Sequence, residues 1–287
     1  MDNILELYCL VDDFCKEYNK YLFAQQHKKP TRSPKIGVSV IITIILLYQQ
    51  SNYRDFKNFY TNHYTIFCKE FAMMPCYSRF VELMKRTWPY LEVLLRWLCL
   101  QIHNSTEIAY IDATSISVCS NKRTSTHKVF RSIAKIGKTT KGWFYGLKLH
   151  IVINEQGELM NFIFTKGNVD DRAVVPELTC RLTGLLLGDK GYISQNLSEN
   201  LFNRGLKLVT GIKRNMQNKL ISTYEKMLLK KRNVVESVFN ILKNHFKLEH
   251  TRHRSPINAC VHLLSTLVSY CLKNNKPHIN FSMLINP

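Results

Sequence analysis

One stretch constrains this chain more than any other: residues 185–194, LLLGDKGYIS, a short apolar run that ends in an aspartate and then turns at a glycine. A run of that length bounded by Gly reads as a buried strand stopping at a functional edge. Ligands of open α/β sheets collect at the carboxyl ends of such strands, which makes Asp189 a candidate site residue. Gly191 is read as the residue that lets the chain leave the sheet sharply. Strand-end aspartates also commonly cap the turn that follows. The choice between these readings depends on whether other carboxylates occur in matching settings.

Composition narrows the partners. Forty Lys plus Arg against 21 Asp plus Glu give a formal charge of +19 over 287 residues, beyond what solubility needs, so a polyanion is indicated and nucleic acid comes first. The basic residues are spread along the chain and not gathered on one amphipathic helix, which argues against a membrane surface. The longest apolar run, residues 36–48, is too short to span a bilayer. The N-terminus, MDNILELYCLVDDF, is acidic where a signal peptide would be basic. Nine cysteines with no CxxC pair fit reduced thiols of a cytosolic protein better than a disulfide framework or a zinc ribbon.

Residues 1–104 read as a helical domain with basic arms, a plausible DNA-end-binding module. Helical spacing is clear over residues 4–18. The KKPTRSP segment at 28–34 reads as a linker. The β-branched run at 36–48 is long enough to favour helix, and a second long periodicity over 80–100 is interrupted at Pro89. Near Glu107 the texture changes. EIAYIDAT, residues 107–114, reads as a short strand with Asp112 near its end. A basic loop over 121–141 follows, carrying Arg123, Lys128 and Lys138 toward phosphate. Its GKTT resembles a phosphate loop but lacks the first glycine, since position 132 is Ser132. WFYGLKLHIVIN and ELMNFIFT, joined by EQG, form a hairpin. Asp170 and Asp171 then open a helix running to Leu182, with Asp171 read as its cap. A helix over 195–204, a strand over 205–212 and a basic tract at 213–219 come next.

A helix over 228–248 buries Val235, Phe239, Leu242 and Phe246. On the neighbouring polar stripe Glu236 is the one acid, among Arg232, Lys243 and Lys247. Its bland reading is an ion pair with Arg232 or Lys243. The last helix is expected to pack back on the sheet. His245, His250 and His253 could form a metal site, but beside Arg252 and Arg254 a DNA-facing or structural role fits better. The order of elements is that of a ribonuclease-H-like mixed sheet flanked by helices, over 105–287. It would place Asp112 and Asp189 side by side and bring Glu236 across to them. Three hard oxygen donors on an open site suit Mg²⁺.

YIDAT at Asp112, GWFYGLKLHIVIN followed by GNVDDR, GDKGYIS at Asp189, and the Glu236 helix followed by EHTRHRSP together resemble a DDE transposase of a bacterial insertion sequence, over nearly the whole chain. Arg232 stands four residues before Glu236 and Lys243 seven after it, as a Tyr, Arg, Glu, Lys signature of related enzymes has them; Leu229 stands at the tyrosine position. The resemblance implies two Mg²⁺ ions, with Mn²⁺ as substitute, held by Asp112, Asp189 and Glu236. It implies cleavage at the element's ends and strand transfer into target DNA. It also implies terminal phosphates or bases held by Arg232 and Lys243, assistance from Lys190 and Arg172, and a homodimer on the terminal inverted repeats. The rival reading is an inactive or domesticated DNA-binding relative.

Overall fold

The structure, a computed structural model, describes residues 2–25, 34–102, 107–140, 142–212, 221–249 and 253–279. The basic tract at 213–219, most of the 28–34 linker, His250 and Arg252 lie outside the described residues. The chain forms two compact units.

The first unit is helical: α1 (Asp2–Ala24), α2 (Val38–Gln50), α3 (Phe56–Glu70), α4 (Tyr77–Met84) and the first part of α5 (Trp88–Ile102). Leu7, Val11 and Cys15 recur every four residues on α1 and are buried toward α2. The β-branched run of α2 stays helical because Ile41, Ile42, Ile44, Ile45 and Leu46 are all enclosed, so packing overrides weak propensity. The long periodicity breaks not at Pro89 but at a 3-10 turn over Lys85–Thr87. Pro89 sits in the first turn of α5, where its missing N–H costs nothing.

The last helix of the chain, α10 (Pro256–Cys271), belongs to this unit and packs chiefly on α2, not on the sheet as its sequence suggests. Its buried polar residues explain the choice. Gln49 Nε2 of α2 donates to Ser265 Oγ at 3.0 Å and faces His262 Nδ1 at 3.1 Å, pairings an apolar sheet face could not supply. No described helix is long and apolar enough to cross a membrane. All nine cysteines are free thiols.

The second unit is built on a six-stranded mixed sheet: β1 (Ile108–Cys119), β2 (Lys135–Thr139), β3 (Gly142–Asn154), β4 (Leu159–Lys166), β5 (Gly184–Gly188) and β6 (Leu206–Thr210). β3 lies antiparallel to β1, with β2 along its first half and β4 along its second. β5 and β6 continue the sheet parallel to β1. This antiparallel meander followed by parallel strands is the ribonuclease-H-like arrangement, a mixed sheet flanked by helices and preceded by a helical region. α6 (Val175–Leu178) and α7 (Gln195–Phe202) cover one face, where Ile111, Val152, Leu178, Leu186, Leu197 and Leu206 share a core. α8 (Thr223–Lys230) and α9 (Asn233–Asn240) approach β5, β6 and β1.

Four local readings differ from the structure. β1 does not end near Asp112 but runs on to Cys119, because β3 pairs with it throughout. The basic loop contains an edge strand, β2, whose Gly137 lies against the carbonyl of Gly167 with no room for a Cβ. The helix expected over 228–248 is two pieces, α8 and α9, joined through Lys231 and Arg232, and α9 runs on as a π-helical turn over Ile241–His245. The helix expected after Asp170 is a 3-10 turn, Asp171–Val174, followed by the single turn of α6.

Candidate active site

The site forms where β1 outgrows β5. Their parallel pairing ends at Tyr110 with Leu187, and two residues further along each strand come Asp112 and Asp189. Equal register therefore puts the two carboxylates abreast at the end of β5. Alternation along β1 sends Ile111 into the α6–α7 core and Asp112 to the opposite face, toward α9. α9 supplies Arg232, at its N-cap, and Glu236 in its first turn.

Arg232 ties the three acids together. Its Nη1 donates to Asp112 Oδ2 at 3.1 Å, and its Nη2 lies 3.8 Å from Asp189 Oδ1 and 3.7 Å from Glu236 Oε1. The sequence thus brings Asp112, Asp189, Glu236 and Arg232 to one place, with an arginine at its centre. Asp112 is the enclosed member; Asp189 and Glu236 are exposed. Burial pushes the Asp112 carboxyl up to about 6. Asp189 and Glu236 add to that rise, while the Ala113 N–H at 2.8 Å and Arg232 oppose it. Lys243 is anchored to the same strand three residues on, donating to the Ser115 carbonyl at 2.9 Å and to Glu249 at 2.8 Å.

Behind the triad lies a polar layer that the sequence reading missed. Lys148 Nζ donates to Asp171 Oδ1 at 2.8 Å and to the Val169 carbonyl at 2.9 Å. The fully buried His150 sits with Nε2 2.9 Å from Thr165 Oγ1 and Nδ1 3.9 Å from Asp171. Loss of water around the imidazolium pulls His150 down to about 4; Asp171 opposes this and Lys148 adds to it. Asp171 is therefore a buried-side ion-pair partner and not the helix cap. Asp170 is the cap, accepting from the Arg172 N–H at 2.9 Å. The available signal was the pair Lys148 and His150, two polar residues at period two in an otherwise apolar strand.

Tyr192 is the other residue missed. It is buried, its hydroxyl has no hydrogen-bond partner among the described residues, and burial raises its pKa with Asp112, Asp171 and Asp189 adding to the rise. Its ring also corrects the expectation for Gly191. A Cβ on Gly191 would meet nothing within 4 Å, whereas one on Gly188 would press on Tyr192 at 3.1 Å and Ile111 at 3.2 Å. Gly188, at the end of β5, is the glycine whose Cβ the packing of the Tyr192 ring would crowd.

The remaining cations are dispersed. Arg123, Lys128 and Lys138 are exposed between β1 and β3, and Lys138 Nζ stands 5.4 Å from the centroid of the Trp143 ring. Arg172 is occupied by Asp170 at 2.6 Å. Lys190 is exposed beside Asp189, its stem lying along Gly211. Arg254 is exposed ahead of α10 in the helical unit. His245 rests edge-on against Phe246 and His253 beside His262, both aromatic contacts within or next to the helical unit.

Residues 102–256 match the family model of the Transposase DDE domain, more than half of the chain. The chain belongs to that family. All three acids of this transposase fall inside the matched segment. No curated protein matches it. Among solved structures, the piggyBac transposase synaptic complex with hairpin DNA is 10% identical with a TM-score of 0.48, covering 86% of this chain and 69% of the other. The Mos1 mariner paired end complex with Mn is 11% identical with a TM-score of 0.25, covering 94% and 88%. The catalytic domain of Mos1 mariner transposase is 12% identical with a TM-score of 0.24, covering 69% and 95%. The family assignment rests on the matched segment and not on these structures.

Proposed function

We propose that this transposase cuts DNA at the ends of a bacterial insertion sequence and joins the freed ends to target DNA, with Asp112, Asp189 and Glu236 as its catalytic acids. The observation that carries the reading is the convergence of three carboxylates from β1, the end of β5 and α9 on the single guanidinium of Arg232. Three acids around one cation leave an excess of negative charge in a protein of +19. Among the described residues no three ligand-type side chains are gathered closely enough to hold a metal. The donor set nevertheless fits Mg²⁺, or Mn²⁺ as substitute, in kind: hard oxygens, one of them enclosed and unsettled by its neighbours.

When bound, two such ions supply Lewis-acid stabilisation of the attacking and leaving oxygens of a phosphodiester. The chain's own residues set the stage for that. Asp112, whose Oδ1 accepts from the Ala113 N–H, would hold the ions together with Asp189 and Glu236. Arg232 balances the acids and is placed to meet a phosphate. Lys243 and Lys190 flank the site and orient the DNA strand. We assign end recognition to residues 1–104 and catalysis to 105–287, with a homodimer bridging two inverted repeats and double-stranded DNA, both element ends and target, as the partner.

The test incubates the protein with duplexes carrying the inverted repeats that flank its gene, with Mg²⁺, and compares the wild type with Asp189→Asn. Cleavage and joining by the wild type alone support the proposal. Absence of both, or unchanged products from the variant, refutes it. Binding should weaken steeply with salt if the exposed cations contact phosphates.

A further inference from the structure

We infer that the segment between β1 and β3 forms a second DNA site, a pocket that takes one unpaired nucleotide of the strand. This rests on the transposase reading above. The pocket has a volume of about 400 Å³ and lies beside β2. It is at the small end of ligand-binding cavities, room for one nucleotide and not for a base pair.

Its walls divide by chemistry. Its lining includes the exposed cations Arg131 and Lys135, the hydroxyl residues Thr124 and Ser125, and Ile136 and the largely buried Tyr145, which are paired across β2 and β3 and add an apolar and aromatic part. Residues 121–141 contain seven Lys and Arg and no Asp or Glu. Among the described residues neither Arg131 nor Lys135 makes an ion pair, so no described carboxylate neutralises their charge. His127, also in the lining, has a buried Nδ1 with no hydrogen-bond partner among the described residues. A buried polar atom left unpaired is unfavourable, and a ligand that pairs it gains what the empty pocket lacks. Cations for a phosphate, polar atoms for a sugar or base edge, and an aromatic face for stacking are the three requirements of an unstacked nucleotide.

The position suits a strand that also reaches the triad. Tyr145 lies six residues before Ile151, the cross-strand partner of Asp112, so alternation puts it on the same face of the sheet. Six residues of strand span about 20 Å, which is about six base steps of B-form DNA. A concave pocket with an aromatic wall accepts a base that has left the stack. Trp143, 61% exposed and paired with Lys138 two cross-strand pairs along, lies on the same face of the sheet, with Lys138 Nζ 5.4 Å from its ring centroid.

The experiment is a mismatch scan. End duplexes carrying one mismatch at each of the first ten positions from the cleaved bond are titrated by fluorescence anisotropy. A mismatch near the sixth position should tighten wild-type binding severalfold, because the cost of unpairing is already met. In Arg131→Ala and in Ile136→Asp, both at exposed positions, that gain should vanish while binding of the fully paired duplex changes less than threefold. A 5-iodouracil at the same position should crosslink to Tyr145. If the paired duplex binds but no mismatch position is favoured, or the gain survives in Arg131→Ala, the pocket is not a nucleotide site. If the duplex does not bind at all, the transposase reading fails first and this inference with it.

Discussion

Arg232 makes three ion pairs whose energies should differ sharply, and the difference can be worked out in advance. The contact to Asp112 is a hydrogen bond of 3.1 Å between side chains only 19% and 23% exposed; those to Asp189 and Glu236 are 3.8 and 3.7 Å, to side chains 57% and 63% exposed. A charged hydrogen bond is worth about 1.5–3 kcal/mol when enclosed, and partial exposure reduces this one to about 1–2 kcal/mol. The two longer, screened contacts should each contribute less than about 0.5 kcal/mol. Double-mutant cycles pairing Arg232→Ala with Asp112→Ala, Asp189→Ala and Glu236→Ala isolate these terms. Native-state hydrogen exchange of β1 and β5 amides in urea reads them where the site is built. The first coupling should exceed each of the others by at least about 0.5 kcal/mol. Three equal couplings, or a dominant one to Glu236, would refute the claim that Asp112 is the enclosed anchor of the site and would leave the intrahelical pair as the meaning of Arg232.

Tyr192→Phe should raise stability by about 1 kcal/mol, since it removes a buried hydroxyl with no partner; a loss in urea denaturation would show that the hydroxyl is satisfied. Buried His150, held at about 4 against an ordinary 6.5, stays neutral in the fold and charges more readily when unfolded. Its contribution is complete above pH 6.5 and is lost as pH falls toward 4, up to about 3 kcal/mol. His150→Gln should flatten that part of the stability curve, and an unchanged slope would count against it. Asp170, held at about 2 mainly by Arg172, acts only at lower pH. Gly191→Ala should be neutral or slightly stabilising, while Gly188→Ala should displace the Tyr192 ring and cost about 1–3 kcal/mol; equal effects would contradict the packing of that turn.

Much of the fold was readable because it depends on local pattern. The β3–β4 hairpin shows in its alternation, and the strand and aspartate of 185–189 show in an apolar run cut short. What escaped depends on partners distant in sequence. β2 looks like a charged loop because an edge strand needs only one neighbour and keeps its lysines in solvent. The helix over 228–248 keeps a continuous apolar stripe, so nothing in its periodicity marks the break at Lys231 or the π-turn that follows α9. The destination of α10 was hidden because an apolar helix suits either a sheet or a helix bundle; Gln49, 213 residues away from His262, decides it. At the site the three acids could be named from their settings on two strands and a helix, and the role of Arg232 from the family resemblance. Their supporting layer could not, because Lys148, His150, Asp171 and Tyr192 acquire a common role only once β3 and two turns are folded together.

The central claim is that Asp112, Asp189 and Glu236 form one catalytic unit. The most direct measurement is the rate of end cleavage in Mg²⁺ for Asp112→Asn, Asp189→Asn and Glu236→Gln, with DNA affinity measured on the same preparations. Each should lose roughly a thousandfold or more in rate, the three losses should not add when combined, and affinity should hold within a few fold. A variant that cleaves at the wild-type rate while binding DNA normally would remove its residue from the site and contradict the account.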